Sequence, residues 1–262
     1  MEELKNEIIK QTGEVYKENL ENLTVPTSKS IGNNLGEMID GIFGWLGVWG
    51  KIQKTKQEEY IKRFKKNVEE ELTKIDENKL IEPKMNIIGP TLETAKFYYD
   101  EEYYQEMFAR ILAKACNSEY ENDIHPAFVE TIKQLTPLDA KVITSFKENT
   151  TYPIAEIKAI NSDSSVTPCT LVLSDFKNID KNFTEDEKIR MATTIENLCR
   201  LGIILKNKSV IELKYDYEKF RNNYIYKSFE ASKDKESKIE ITKYRIELTS
   251  YGRSFFNICI KE

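Results

Sequence analysis

One histidine, His125, and four cysteines, Cys116, Cys169, Cys199 and Cys259, are the side chains here best suited to proton transfer or nucleophilic attack near neutral pH. A general base, a metal site or a Cys–His pair would have to be built around His125, with Cys116 as the nearest thiol in sequence. Asp123 and His125 stand just before Pro126, where short polar side chains accept the orphan N–H groups of a helix's first turn. Helix capping is therefore the simpler role for both. The cysteines are too widely spaced for a zinc ribbon or a small disulfide framework and read as buried, reduced thiols. The carboxylate runs Glu69-Glu70-Glu71 and Asp100-Glu101-Glu102 are neighbours in sequence, so they fan around a helix instead of converging. The phosphate-binding, dinucleotide-binding, nucleophile-elbow and HExxH zinc patterns are all missing from the sequence. These readings give a non-enzymatic protein with no cofactor, no metal and no small-molecule substrate.

Three further groups could make contacts with partners. Six of the ten glycines fall between Ile31 and Gly50, interleaved with Phe43, Trp45 and Trp49 and followed by Lys51 and Lys54. Aromatic rings beside lysines could lie on a membrane surface or in an oligomer contact. Glu37 and Asp40 disfavour insertion, however, and glycines also let helices pack closely, which is the stronger reading. Arg190, Arg200, Lys206 and Lys208 could meet the phosphates of nucleic acid, but residues 184–200 also hold four acids. That leaves nucleic acid the weaker reading. Two tyrosine groups, Tyr98, Tyr99, Tyr103 and Tyr104, and Tyr215, Tyr217, Tyr224 and Tyr226, read as packing or interface residues.

The elements that must position these residues are mostly helical. With 40% hydrophobic and 32% charged residues, the chain can bury a core and is too charged for a membrane bundle. No run approaches the roughly 20 uncharged apolar residues of a spanning helix, and the acidic start MEELKNEIIK does not suit a signal peptide. The expectation is a cytoplasmic protein. The net charge of −5 divides into −7 over residues 1–136 and +2 over 137–262, so neither half is strongly basic. Apolar residues at helical spacing predict helices over 2–23, 52–78, 92–99 and 101–116, one opened by His125-Pro126, and another started by Thr136-Pro137. Beyond about residue 150 the character changes. A strand is predicted at Thr170–Leu173 and a helix, capped by Thr184 to Glu187, runs to Leu201 and stops at Gly202. Strands follow at 203–205, 210–213 and 244–248, and a last helix spans 250–260.

The runs Pro90 to Ala95, Glu106 to Ala115 and Ile124 to Ile143, together with Leu248 to Phe256, resemble the abortive infection alpha family. The His125-Pro-Ala-Phe-Val129 stretch is the most specific part of the likeness. The resemblance implies a role in bacterial defence against phage, in which an infected cell stops growing or dies. It implies no catalytic residues. Phe128, Val129, Ile132, Leu135 and Leu138 are predicted to be buried in the seam between the helical half and the C-terminal half. The resulting fold class is mostly α with a minor α+β part: an N-terminal and central helical bundle, then a winged-helix-like C-terminal domain with a small antiparallel β-hairpin. The divisions are 1–82, 83–136 and 137–262. A protein partner or self-association is the favoured mode of action. A defence effector that perturbs membranes through residues 32–66, peripheral at the inner membrane, is the first rival. A winged-helix DNA-binding regulator is the second.

Overall fold

The computed structural model describes residue 42 and residues 56–98, 101–147, 151–160, 171–174, 183–208, 215–232 and 236–261. The predicted first helix, the strand at 210–213, and Phe43, Trp45, Trp49, Lys51 and Lys54 lie outside these residues. Ile42, the one described residue of the glycine-rich segment, is helical and belongs to the main core.

Helix α1 (Lys56–Leu72) buries Phe64, Val68 and Leu72, one residue per turn, and exposes Lys62, Lys66 and Glu70. A stripe this narrow contributes on the order of 6 kcal/mol at about 2 kcal/mol per side chain. Helix α2 (Met85–Ala95) begins earlier than the proline pattern predicts and runs through Pro90. The proline removes one helical N–H, yet Ile87, Ile88, Thr91, Leu92 and Ala95 form a buried stripe that outweighs the loss. Helix α3 (Glu102–Ala115) is the centre of the molecule, with Tyr104, Met107, Phe108, Ile111, Leu112 and Ala115 buried as their spacing predicts.

The short α4 (Ala127–Ile132) leads into α5 (Pro137–Thr144), which has proline at its start and a reciprocal capping box. Thr136 Oγ1 accepts from Asp139 N–H at 3.2 Å, and Asp139 Oδ2 accepts from Thr136 N–H at 2.7 Å. Of the predicted seam, Phe128, Val129, Ile132 and Leu135 are buried and Leu138 is half-buried against the core.

The C-terminal half contains more sheet than a hairpin. Strands β1 (Thr151–Ile160), β2 (Leu171–Ser174), β3 (Ile204–Asn207) and β4 (Lys238–Leu248) form one antiparallel sheet in the order β2-β1-β4-β3. The expected hairpin is the β3–β4 edge, in which Ile204 pairs with Leu248. β1 gives no alternating pattern because Tyr152 to Ile157 are buried on both faces.

Between β2 and β3 the single predicted helix is two, α6 (Glu185–Ile189) and α7 (Met191–Arg200), divided at Arg190. Gly202 ends α7 at φ +71°. Its N–H donates to Cys199 O at 3.0 Å, and Ile203 N–H donates to Leu198 O at 3.0 Å, the paired bonds of a Schellman ending. A 3-10 turn at Tyr217–Asn222 and helix α8 (Tyr224–Ser232) cover the outer face of the sheet. Helix α9 (Ser250–Phe255) continues into a π-helical turn, Phe256–Ile260, whose Phe256, Ile258, Cys259 and Ile260 are buried.

Candidate functional site

The four basic residues picked out by sequence do not form one surface. Arg190 and Arg200 lie at opposite ends of α7, about 15 Å apart along the axis. Arg200 is exposed but occupied: its Nη1 donates to Gln134 Oε1 at 3.0 Å and its Nη2 to Asn197 Oδ1 at 2.8 Å. Lys206 is turned toward the helices. Its ammonium pairs with Glu156 and lies 4.9 Å from the centre of the Tyr244 ring. Burial works against the Lys206 charge, but the hydrogen bond and charge of Glu156 outweigh it and hold the lysine above its ordinary pKa. Lys208 is exposed just beyond β3.

The polar groups of the C-terminal half act as joints. Asn197 on α7 donates to Asp139 Oδ2 at 2.8 Å and to Gln134 O at 3.1 Å, so the carboxylate that caps α5 also anchors α7. Lys141 on α5 reaches Glu187 on α6 at 3.0 Å and lies over the Phe183 ring. Together these bonds tie the α6–α7 pair to the central helices.

His125 is exposed, and its Nδ1 accepts from the N–H of Ala127 at 3.1 Å. That bond gives the residue the capping role its position predicts, while Asp123 makes no cap bond at α4. Burial pushes the Cys116 thiol up to about 12 and that of Cys259 higher still. Both are protonated at neutral pH and poor nucleophiles. Cys199 is half-buried and its pKa is also raised by burial. Among the described residues, no three His, Cys, Asp or Glu side chains stand together as a metal site.

Sequence reasoning missed a buried cation, Arg110. It is 8% exposed, within a helix whose other inner residues are apolar apart from Gln105. Its Nε lies 3.5 Å from Glu71 of α1 and its Nη2 lies 3.2 Å from Glu106 of its own helix. Its position between Met107 and Ile111, on the inner stripe, was the available signal. The exposed Ile189 at the end of α6 was also missed; like Tyr224 at the start of α8, it is about half exposed. Lys188, its neighbour in sequence, lies 5.9 Å from the Tyr224 ring. Glu185 and Asp186 of the same helix are exposed acids.

The geometry thus offers helix joints and two exposed apolar side chains, Ile189 and Tyr224. The family model for abortive infection alpha matches residues 56–259. The chain belongs to that family. The match takes in all of the helices α1 to α9 and the whole sheet. No curated protein matches the chain. Among solved structures, an uncharacterized protein from the hydrocarbon-degrading marine bacterium Alcanivorax borkumensis SK2 is similar at 14% identity. The likeness covers 50% of this chain and 90% of that one with a TM-score of 0.34, too loose to carry any argument. Among the described residues, no helix is long and apolar enough to cross a membrane.

Proposed function

We propose that this member of the abortive infection alpha family defends a bacterial cell against phage by binding another protein, and that it performs no chemistry of its own. The family match over residues 56–259 carries the defence role. The protein-binding mode rests on how the polar groups are used. His125 Nδ1 is taken up by a helix start, and the Cys116 and Cys259 thiols are held protonated by burial. Arg200 and Lys206 are bonded within the fold, which leaves less positive charge for a phosphate backbone. The C-terminal half runs helix, two strands, helix pair, strand, inserted turn and helix, strand and helix, with β4 between β1 and β3, and the helix pair followed by the paired β3 and β4 is the part that supports the winged-helix reading. Used as a docking module, such a fold needs an exposed apolar anchor, and Ile189 with Tyr224 offers one.

Phage plaquing on cells that carry the protein tests this reading. His125→Ala should retain full protection, whereas the pair Ile189→Asp and Tyr224→Asp should lose it while the protein stays folded by circular dichroism. Loss of protection in folded His125→Ala would restore an enzymatic reading. Protection that survives the Ile189 and Tyr224 changes would remove this patch as the docking surface.

The membrane reading keeps one supporting observation, the exposed Lys62 and Lys66 of α1, which follow the aromatic, glycine-rich segment in sequence. Ile42 speaks against it, since it packs in the main core. Deleting residues 32–50 and following membrane potential during infection separates the two. Loss of depolarisation together with protection favours the membrane, and protection without depolarisation favours a protein partner.

A further inference from the structure

We infer that His125 is a pH-sensitive cap, whose imidazole holds the start of helix α4 when neutral and releases it on taking up a proton at Nδ1. The inference stands whichever partner the protein takes. His125 is the one histidine of the chain. Its Nδ1 accepts from the Ala127 N–H at 3.1 Å, which a ring nitrogen can do only with its lone pair free. The neutral ring therefore carries its proton on Nε2, and the second proton must land on the capping atom itself. Nδ1–H and the Ala127 N–H are then two donors facing each other, so the bond is abolished and not merely weakened. Imidazole is the side chain whose ordinary charge change falls between about pH 5 and 8. Pro126 has no N–H, which makes the Ala127 amide the first backbone donor after His125.

Two elements pack on the ring. Helix α4 presents Phe128, its ring centre 6.1 Å away, and α9 presents Tyr251 at 6.4 Å. Both lie beyond the roughly 6 Å within which an aromatic face attracts a cation, so they do little to hold a charged ring in the capping position. Tyr251 is the titratable group that faces His125 from α9. Burial raises its pKa against the opposing hydrogen bond with Thr131, so it stays neutral at every pH considered. The charged side chains of the flanking segments are engaged elsewhere: Glu130 of α4 with Lys133 at 2.9 Å, Glu121 with Lys84 at 3.3 Å, and Arg253 of α9 with the Leu248 carbonyl at 2.7 Å. Asp123 is exposed on the same loop as His125.

The response stays local because the rest of α4 is held by groups that do not titrate near neutral pH. The Phe128 N–H donates to the His125 carbonyl at 2.9 Å, the Phe128 ring meets Phe255 at 5.6 Å and Tyr251 at 5.4 Å, and Thr131 shares a hydrogen bond of 2.6 Å with Tyr251. The first turn therefore opens on a helix that remains docked.

NMR on the full chain tests the cap, following the single imidazole resonance together with exchange of the Ala127 amide with water. Between about pH 7.5 and 5.5 the Ala127 protection factor, corrected for the intrinsic rate at each pH, should fall about fivefold, the factor expected for losing a helix cap. The fall should track the titration of the ring, while the amides of residues 104–112 keep their protection. His125→Asn retains a neutral acceptor and should hold protection across the range. His125→Ala leaves an exposed N–H to water and should show no pH response, and Asp123→Asn should keep the wild-type response. Unchanged Ala127 protection through the ring's titration, the same fall in His125→Ala, a fall shared by residues 104–112, or a response lost in Asp123→Asn would each overturn the inference.

Discussion

The two faces of the sheet differ in what they are packed against. Tyr152, Ile154, Ile204, Ile246 and Leu248 point into the main core, which gathers residues from Ile42 to Ile260. Ala155 and Ile157 point the other way, into a small cluster closed by Tyr217, Phe220 and Tyr226, with Ile239 and Ile241 beside them. The rings of Tyr215 and Tyr217 meet edge to face at 5.1 Å, and Tyr217 OH donates to the Tyr244 carbonyl at 2.9 Å. The first face joins elements distant in sequence, whereas the second is served by one insertion between β3 and β4. Damage to the first should therefore unfold the molecule, and damage to the second should stay local.

The largest expected effect comes from the first face's own support. Leu112→Ala leaves a cavity at a fully buried position of α3 and should cost roughly 2–5 kcal/mol. Urea unfolding followed by circular dichroism should show all helices failing in one transition at a lower midpoint. Gly252→Ala strikes where α9 meets β3, because a Cβ there would overlap the Ile203 carbonyl oxygen. That carbonyl also accepts from Thr249 N–H at 3.0 Å, so it has little room to give, and a cost of about 3 kcal/mol is expected. Gly202→Ala makes a useful contrast. Its site has open space but φ +71°, so the cost is set by backbone strain at about 1 kcal/mol.

Phe220→Ala opens only the second face. It should cost about 2 kcal/mol measured as local exchange over residues 217–230, with the urea midpoint of the helices nearly unmoved. A midpoint shifted as far as that of Leu112→Ala would mean that the two clusters are one cooperative core.

The sequence's legibility follows the same division. The stripe of α3, the proline-started helix at Thr136-Pro137, the capping box at Thr184 and the stop at Gly202 were readable because each is a local pattern with a local cause. β1 was not, because a strand buried on both faces loses its alternation. The 3-10 turn and α8 were not, since their burial depends on a sheet face formed by strands far away in sequence. The candidate site suffered most. Lys206 and Arg200 read as free charges until the fold supplied Glu156 and Gln134 as partners 50 and 66 residues distant. Arg110 was hidden among apolar neighbours for the same reason.

A smaller effect is expected where the two halves are hinged by capping. Thr136→Ala removes the acceptor for Asp139 N–H, and Asp139 in turn positions Asn197 of α7. A loss of about 1 kcal/mol is expected, larger than for an isolated cap if the α7 anchor loosens with it. Combining Thr136→Ala with Asn197→Ala measures that link, since independent sites would add and a shared joint would not.

The smallest effect is a pH dependence at Glu187, which caps α6 and holds Lys141 of α5. Partial burial would raise its pKa, but the Thr184 N–H and the Lys141 ammonium outweigh that and lower it below the ordinary 4.5. A carboxylate with a depressed folded-state pKa contributes stability that is present above its unfolded value and is lost as the pH falls through the folded one. Wild type should therefore exceed Glu187→Gln in urea midpoint at about pH 7, and the gap should close as the pH falls through the lowered folded-state pKa. A gap that persists in acid would mean that Glu187 acts through packing or neutral hydrogen bonds, and that the α5–α6 hinge owes nothing to its charge.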